Sequence, residues 1–299
     1  MGDKLHDVII IGGSASGISA AMTLGRSLRN VLIIDSKTPC NRNSKHSHNF
    51  ITNDGKAPKE IIDNTNKELL HYDTVSIIDG TVLNILHKDN EFHVATSAGK
   101  LFIGKKILLC TGLTDISPDI PGFSECWGNT ILHCPYCNGY EHRNEPTAIL
   151  ANGEAAYHLG ILINNWTKDI IILTNGLSEL RNEEVEKLAS RNITINDDVI
   201  SEFKHENGKI ESVVFNNGKI KHPKVLYASI PFEQQSGLAE KLGCKMSLHG
   251  HIDVDDEQRT SIDGVYAAGD CTDQQRAIAV AAASGTKAGF TINLDLILK

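Results

Sequence analysis

The sequence predicts an α/β fold in two domains, and three observations carry that reading. The chain has 299 residues, long for one hydrophobic core, because single cores stop growing near roughly 250 to 300 residues. Its N-terminal segment reads as strand, glycine turn, helix and strand: Val8 to Ile11, Gly12 to Gly17, Ile18 to Leu28, then Val31 to Ile34 ending on Asp35. A weaker unit of the same kind lies mid-chain, where Thr147 to Leu150 and Ile170 to Leu173 flank the helical Glu154 to Asn165.

The remaining elements follow from the same periodicities. Lys106 to Cys110 is an apolar strand stopping at Thr111-Gly112, and Pro118 and Pro121 then fall in a polar stretch suited to a domain crossover, so a boundary is placed near Gly112. Val265 to Ala268 is a short strand ending on Gly269-Asp270. The small-residue run from Ala277 to Ser284 continues into a final helix that includes Phe290, Ile292, Leu296 and Ile297. No tandem repeat, low-complexity tract or heptad array interrupts this pattern.

Composition narrows the function. The chain is 40% hydrophobic and 22% charged, and it has no apolar run near the roughly 20 residues that a membrane span needs. Asp7-Val8-Ile9-Ile10-Ile11 begins a strand with no basic segment, long apolar core and cleavage site before it, so a cytoplasmic location is expected. A formal net charge of -8 without clustered Lys and Arg offers no footprint for a phosphate backbone, and nucleic acid is not expected as a partner. Seven cysteines are too sparse and irregular for a secreted disulfide framework. Cys40, Cys110, Cys126, Cys244 and Cys271 stand alone and read as small hydrophobes. Cys134 and Cys137 form the one close pair.

The glycine turn is the first motif with chemistry. A dinucleotide's pyrophosphate sits at a helix N-terminus, where unpaired N–H groups and the helix dipole favour negative charge and glycines admit the phosphates. Gly12, Gly13, Ser14, Ala15, Ser16 and Gly17 are placed for this, with Ser14 standing where the G-x-G-x-x-G pattern has its second glycine. Asp35, at the end of the following strand, can accept hydrogen bonds from ribose hydroxyls. The second motif is His133-Cys134-Pro135-Tyr136-Cys137-Asn138-Gly139-Tyr140-Glu141. Two cysteines at this spacing can close a small disulfide ring, and a helix starting there favours a thiolate. The spacing also suits half a zinc site, but a complete centre needs a second pair, and His133 and His142 lack the paired spacing; no metal is expected.

Thr260-Ser261-Ile262-Asp263-Gly264-Val265-Tyr266-Ala267-Ala268-Gly269-Asp270 resembles the late FAD fingerprint of thioredoxin-reductase-like flavoproteins, and nearly the whole chain is similar to a low-molecular-weight thioredoxin reductase. More narrowly, Leu24 to Arg29, His46 to Phe50, Asn53 to Gly55 and the Cys134 motif are similar to the branch with the FAD-dependent dithiol oxidases of gliotoxin and holomycin biosynthesis. The resemblance implies two Rossmann-like, three-layer FAD/NAD(P)-binding domains, the second inserted into the first: residues 1–112 and 240–299 for FAD, and 113–239 for an NAD(P)-binding-like domain carrying the cysteine pair. It implies FAD as cofactor, contacted additionally by Asn49, Thr111, Gly112, Gly269, Asp270 and Ala277. It implies Cys137 as the flavin-proximal thiol and Cys134 as the thiol exchanging with a small dithiol or disulfide or with a thioredoxin-like protein, in a homodimer.

Two departures shape the expectation. The middle domain's turn reads Ala151-Asn152-Gly153-Glu154-Ala155-Ala156, without the first glycine of a G-x-G-x-x-A turn, and no arginine follows Leu173-Thr174-Asn175-Gly176 until Arg181. Losing bidentate Arg donors forfeits about 1.5 to 3 kcal/mol per contact with a 2′-phosphate, so strong NADPH dependence is not expected. Asn138 stands where the reductases carry an acid after the second cysteine. An amide does not titrate, and His133, beside Cys134, is the first candidate to move the proton, with His46, His48 and His142 as competitors. The reading is an FAD-dependent thiol–disulfide oxidoreductase, a dithiol oxidase or a reductase fed by something other than NADPH. An NADPH-thioredoxin reductase and a flavin-bound redox sensor are the alternatives.

Overall fold

A computed structural model describes residues 5–298. Two compact units are present. One comprises the chain up to Arg42, Pro58–Thr114 and the chain from Glu233 onward; the other comprises Asn43–Ala57 and Asp115–Phe232. The chain therefore crosses between units at 114/115 and 232/233, where the sequence suggested 112/113 and 239/240, and residues 43–57 group with the second unit rather than the first. Nothing in the local pattern of residues 43–57 marks that allegiance, because it comes from contacts distant in sequence. The expected bounds at residues 1 and 299 lie outside the described residues.

The first unit is built on a seven-stranded sheet. Its parallel part runs Val75–Asp79, Val31–Asp35, Leu5–Ile11, Leu101–Leu109 and Val265–Ala267. Glu91–Thr96 and Val82–Lys88 extend it antiparallel from the first half of Leu101–Leu109. Alternation with period two sends Val8, Ile10, Val31, Ile33 and Leu108 to one face and Ile9, Ile11, Leu32, Ile34 and Ile107 to the other. The first face is covered by helices Ala15–Arg26 and Ile278–Leu298 through Ile18, Ala21, Leu24, Ala288 and Ile292. These helices approach closely because small residues face each other: a Cβ on Gly285 would strike the Ser16 backbone, and one on Gly289 would lie 2.8 Å from Thr23 Cβ. The lower end of the last helix is fixed by Asp295, which accepts both Arg259 nitrogens at 3.0 Å and Tyr266 Oη at 2.6 Å.

The second unit carries a five-stranded sheet in the order Thr194–Asn196, Ile170–Leu173, Thr147–Leu150, Val225–Ala228 and Ile131–Leu132, parallel throughout. Helices Gly153–Ile163 and Asn182–Ala189 cover one face through Ala156, Ile163 and Leu188. A three-stranded antiparallel sheet, Ile200–Glu206, Lys209–Phe215 and Ile220–Lys221, supplies Phe203, Val213 and Phe215 to the core on the other face. Both units are thus three-layered α/β, and the two βαβ segments read from the sequence lie at their centres. No helix among the described residues is long and apolar enough to cross a membrane.

Candidate functional site: a dinucleotide cradle and a redox disulfide

In the first unit the glycine turn leaves the C-terminal end of Leu5–Ile11 and enters the helix Ala15–Arg26. Gly12 sits at φ 107°, and a Cβ there would strike the Cys110 carbonyl oxygen; a Cβ on Gly17 would strike the Gly12 carbonyl oxygen. Both positions need glycine for close backbone approach. Ser14 is the N-cap residue with extended backbone, and its side chain makes no cap hydrogen bond. The N–H groups of the first turn have no intrahelical partner and remain available to an anion. The Asp35 side chain lies 3.0 Å from where a Gly13 Cβ would be, which puts its carboxylate beside the turn.

The late motif converges on the same strand ends. Gly269 (φ 87°) packs on Ser16, since a Cβ there would lie 2.6 Å from Ser16 Oγ, and its N–H donates to Ser284 Oγ at 3.0 Å. Asp270 lies 3.7 Å from Arg276 Nε and receives the Cys40 thiol at 3.6 Å. The Ala277 carbonyl accepts Ala281 N–H and opens the last helix. Thr111-Gly112, with Gly112 at φ 69°, follows the central strand. The structure therefore brings Gly12, Gly13, Ser14, Ala15, Ser16, Gly17 and Asp35 together with Gly269 and Asp270 in one unit. Ser16 proves mainly a packing residue, buried between Gly269 and Gly285. Arg276 was not singled out from sequence. The glycine cradle, the free helix start and the carboxylate fit a dinucleotide. Two buried thiols nearby are inert: burial raises Cys110, and burial foremost pushes Cys271 up to about 11.

In the second unit Ile131–Leu132 delivers the chain to His133, which is exposed, and to Cys134. Cys134 and Cys137 are joined as a disulfide with Cα atoms 5.3 Å apart. Cys134 is the N-cap of the short helix Pro135–Asn138, and its sulfur accepts the Cys137 N–H at 3.2 Å. Tyr136 is exposed and meets Trp166 edge-on at 5.8 Å, and Arg143 lies over the Tyr140 ring at 4.3 Å. Asn49 lies in this unit, at φ 60°, with its N–H donating to Asp54 at 2.8 Å. His46 bonds Gly55 O at 2.9 Å, and His142 pairs with Glu145 at 2.7 Å. Among the described residues no group of three or more His, Cys, Asp or Glu is arranged to hold a metal ion.

The turn that would carry a second dinucleotide is built differently from the first. Asn152 is the N-cap of Gly153–Ile163, and its Oδ1 accepts the N–H of Gly153 at 2.8 Å and of Glu179 at 2.9 Å. Its Nδ2 donates to Leu177 O at 2.9 Å, strapping the loop after Ile170–Leu173 to the helix start. Glu154 points along the helix to His158 at 3.3 Å, and Arg181 is engaged by Glu184 at 2.6 and 3.0 Å. A cleft of about 360 Å³ opens at these strand ends, lined by Leu150, Ala151, Asn152, Thr174, Asn175 and Ser229 among others, and no Lys, Arg or His lines it.

A dinucleotide cradle in one unit and a cysteine disulfide in the other define a flavin-type disulfide oxidoreductase. The comparisons agree. Residues 6–286 match the model of the pyridine nucleotide-disulphide oxidoreductases, and the chain belongs to that family. It is 31% identical to thioredoxin reductase aclD of Aspergillus oryzae over 98% of this chain and 96% of the relative. Among solved structures it is similar to TrxB from Bacillus anthracis, with TM-score 0.93 and 31% identity over 98% of both chains. It is also similar to HlmI, with TM-score 0.92 and 30% identity over 98% of this chain and 92% of that one. The protein is accordingly a thioredoxin reductase-like FAD oxidoreductase acting on sulfur groups.

The cradle makes a direct prediction. Gly17→Val forces a side chain into the Gly12 carbonyl, and overpacking of this kind costs about 1 to 3 kcal/mol. FAD affinity, followed by fluorescence of released flavin, is expected to fall by about one to two decades; a variant that retains FAD like the parent contradicts the cradle.

Proposed function

We propose that the protein passes electrons between FAD and the Cys134–Cys137 disulfide without NADPH as its principal reductant, as a dithiol oxidase or a reductase fed by another donor. The observation that carries this is Asn152. Its side chain takes the helix-start N–H that a pyrophosphate would need, and no cationic side chain lines the adjoining cleft. Displacing the cap would leave Glu179 N–H and Leu177 O unpaired, at a net cost of about 1 kcal/mol per hydrogen bond. Acidic Glu154 and Glu179 at the same turn add repulsion to any phosphate.

FAD supplies the two-electron chemistry when bound; the chain supplies thiol exchange. A substrate thiolate attacks Cys134, and Cys137 leaves as the thiolate that passes electrons to FAD, the roles that the family resemblance implies. His133, exposed beside Cys134, serves as proton acceptor for the entering thiol. Asn49, the Thr111-Gly112 turn, Asp270 and Ala277 are proposed as further cofactor contacts on motif similarity. The substrate is a small dithiol or disulfide, or a thioredoxin-like protein, met in the cytoplasm.

Mixing the holoprotein under argon with NADPH separates the readings. Flavin absorbance is expected to persist with NADPH and to bleach with excess dithiothreitol, and Cys134→Ser is expected to slow the dithiothreitol reaction by about 10³-fold or more. Rapid bleaching by NADPH would instead identify an NADPH-thioredoxin reductase, as the name of the Aspergillus relative suggests. Unchanged dithiol turnover in the Ser variant would leave only a redox sensor.

We also propose a homodimer. The last helix is apolar on its outward side as well as its packed one, with Phe290, Leu294 and Ile297 exposed at i, i+4 and i+7 spacing, and a helix apolar all round is normally covered. Light scattering should give twice the chain mass, falling to one chain in Leu294→Lys; a wild-type monomer would exclude the dimer.

A further inference from the structure

Dithiol oxidation at the disulfide, on which this inference rests, releases two protons. The first leaves as a substrate thiol attacks Cys134, the enzyme S–S bond breaks and Cys137 departs with the electron pair. The second leaves as the remaining substrate thiol attacks the substrate sulfur of the mixed disulfide and Cys134 departs as thiolate. The substrate loses two electrons, the enzyme disulfide gains them, and the two protons pass to the departing thiolates, to side chains beside them or to water. His133 borders Cys134. At the other end the next residue is Asn138, an amide that carries no titrating proton.

A carboxylate lies one turn further on. Gly139 N–H donates to Pro135 O at 2.7 Å and His142 N–H to Asn138 O at 3.4 Å, so the chain keeps its helical winding beyond Asn138. Glu141 follows Cys137 by four residues, about one turn of such a winding. Glu141 is held from outside the motif: His48 Nε2 lies 3.6 Å from its Oε1, and His48 Nδ1 lies 3.5 Å from Asp54. His46 is the other titratable group near this ring, with centroids 6.3 Å apart. The loop that carries His48 is closed by the Ser47–Lys56 bridge, through Ser47 N–H to Lys56 O at 2.7 Å and Gly55 N–H to Ser47 O at 2.8 Å.

A buried group faces the same carboxylate. Tyr227 is 2% exposed, and its hydroxyl makes no hydrogen bond among the described residues. It is paired in register with Leu132, two residues before Cys134. Burial raises its phenol, and the charges of Glu141 and Glu145 raise it further.

We propose that Glu141 is the acid–base group for the Cys137 end of the disulfide and that His48 is the positioning residue that holds its carboxylate there. An ion pair that merely pins the loop would leave Cys137 ionisation untouched, which supplies the test. In Cys134→Ser holoprotein, Cys137 is the remaining thiol of the pair, and its alkylation rate with iodoacetamide against pH, read by peptide mass, gives its ionisation midpoint. Glu141→Gln removes a negative charge near the thiolate and is expected to raise the thiolate fraction at fixed pH about tenfold; His48→Asn releases that carboxylate and shifts the midpoint in the same direction by less. Glu141→Asp keeps the charge and stays close to the parent. With both cysteines present, Glu141→Gln is expected to slow flavin reduction by dithiothreitol about 10²-fold, at unchanged FAD content. Coincident alkylation profiles for the parent and the Gln and Asn variants overturn the proposal. A wild-type flavin that dithiothreitol never reduces overturns the thiol–disulfide reading itself, whereas a Gln variant reduced as fast as a reactive wild type overturns the Glu141 assignment alone.

Discussion

The N–H groups that open a helix can face a phosphate or a side chain, but the same donor does not serve both. This chain builds two βαβ units on one plan and resolves that choice in opposite ways. At Ala15–Arg26 the N-cap serine keeps its side chain out of the turn, and glycines at 12 and 17 clear the backbone for close approach. At Gly153–Ile163 the N-cap asparagine donates and accepts on the spot, tying Gly153, Leu177 and Glu179 into one closed turn. The two N-cap residues thus differ in whether the side chain occupies the helix-start N–H groups.

The chemistry of the cysteine pair follows from how few other groups can compete with it. Cys110, Cys126, Cys244 and Cys271 are buried, and burial raises each thiol away from the reactive thiolate. Cys40 is engaged with Asp270. Cys134 and Cys137 are partly accessible and closed on each other, at the end of a strand whose neighbour carries Tyr227.

Much of this was legible in the sequence because it is local. Strands Thr147–Leu150 and Ile170–Leu173 stand where the apolar runs put them, and the glycine turn, Asp35 and Gly269-Asp270 meet as the motifs imply. The first helix begins three residues before Ile18 and ends at Arg26, since its small N-terminal residues carry no periodic signal. The antiparallel strands Val82–Lys88, Glu91–Thr96, Ile200–Glu206 and Lys209–Phe215 escaped notice because their alternation is half-exposed and broken by charge. The missing glycine of that turn is Ala151, and the cap at Asn152 went unread, although asparagine ahead of a helix is itself an N-cap signal. The His48–Glu141 pair and the orphan Tyr227 hydroxyl had no local signature, because each depends on segments brought together only by folding.

Electron exchange between the flavin and one disulfide underlies every other step, and it can be read without any substrate. Anaerobic photoreduction of the FAD holoprotein, followed by rapid iodoacetamide quench and peptide mapping, reports the state of each cysteine. The predicted result is paired alkylation of Cys134 and Cys137 rising in step with flavin bleaching. Fully reduced flavin beside an intact Cys134–Cys137 bond would contradict it.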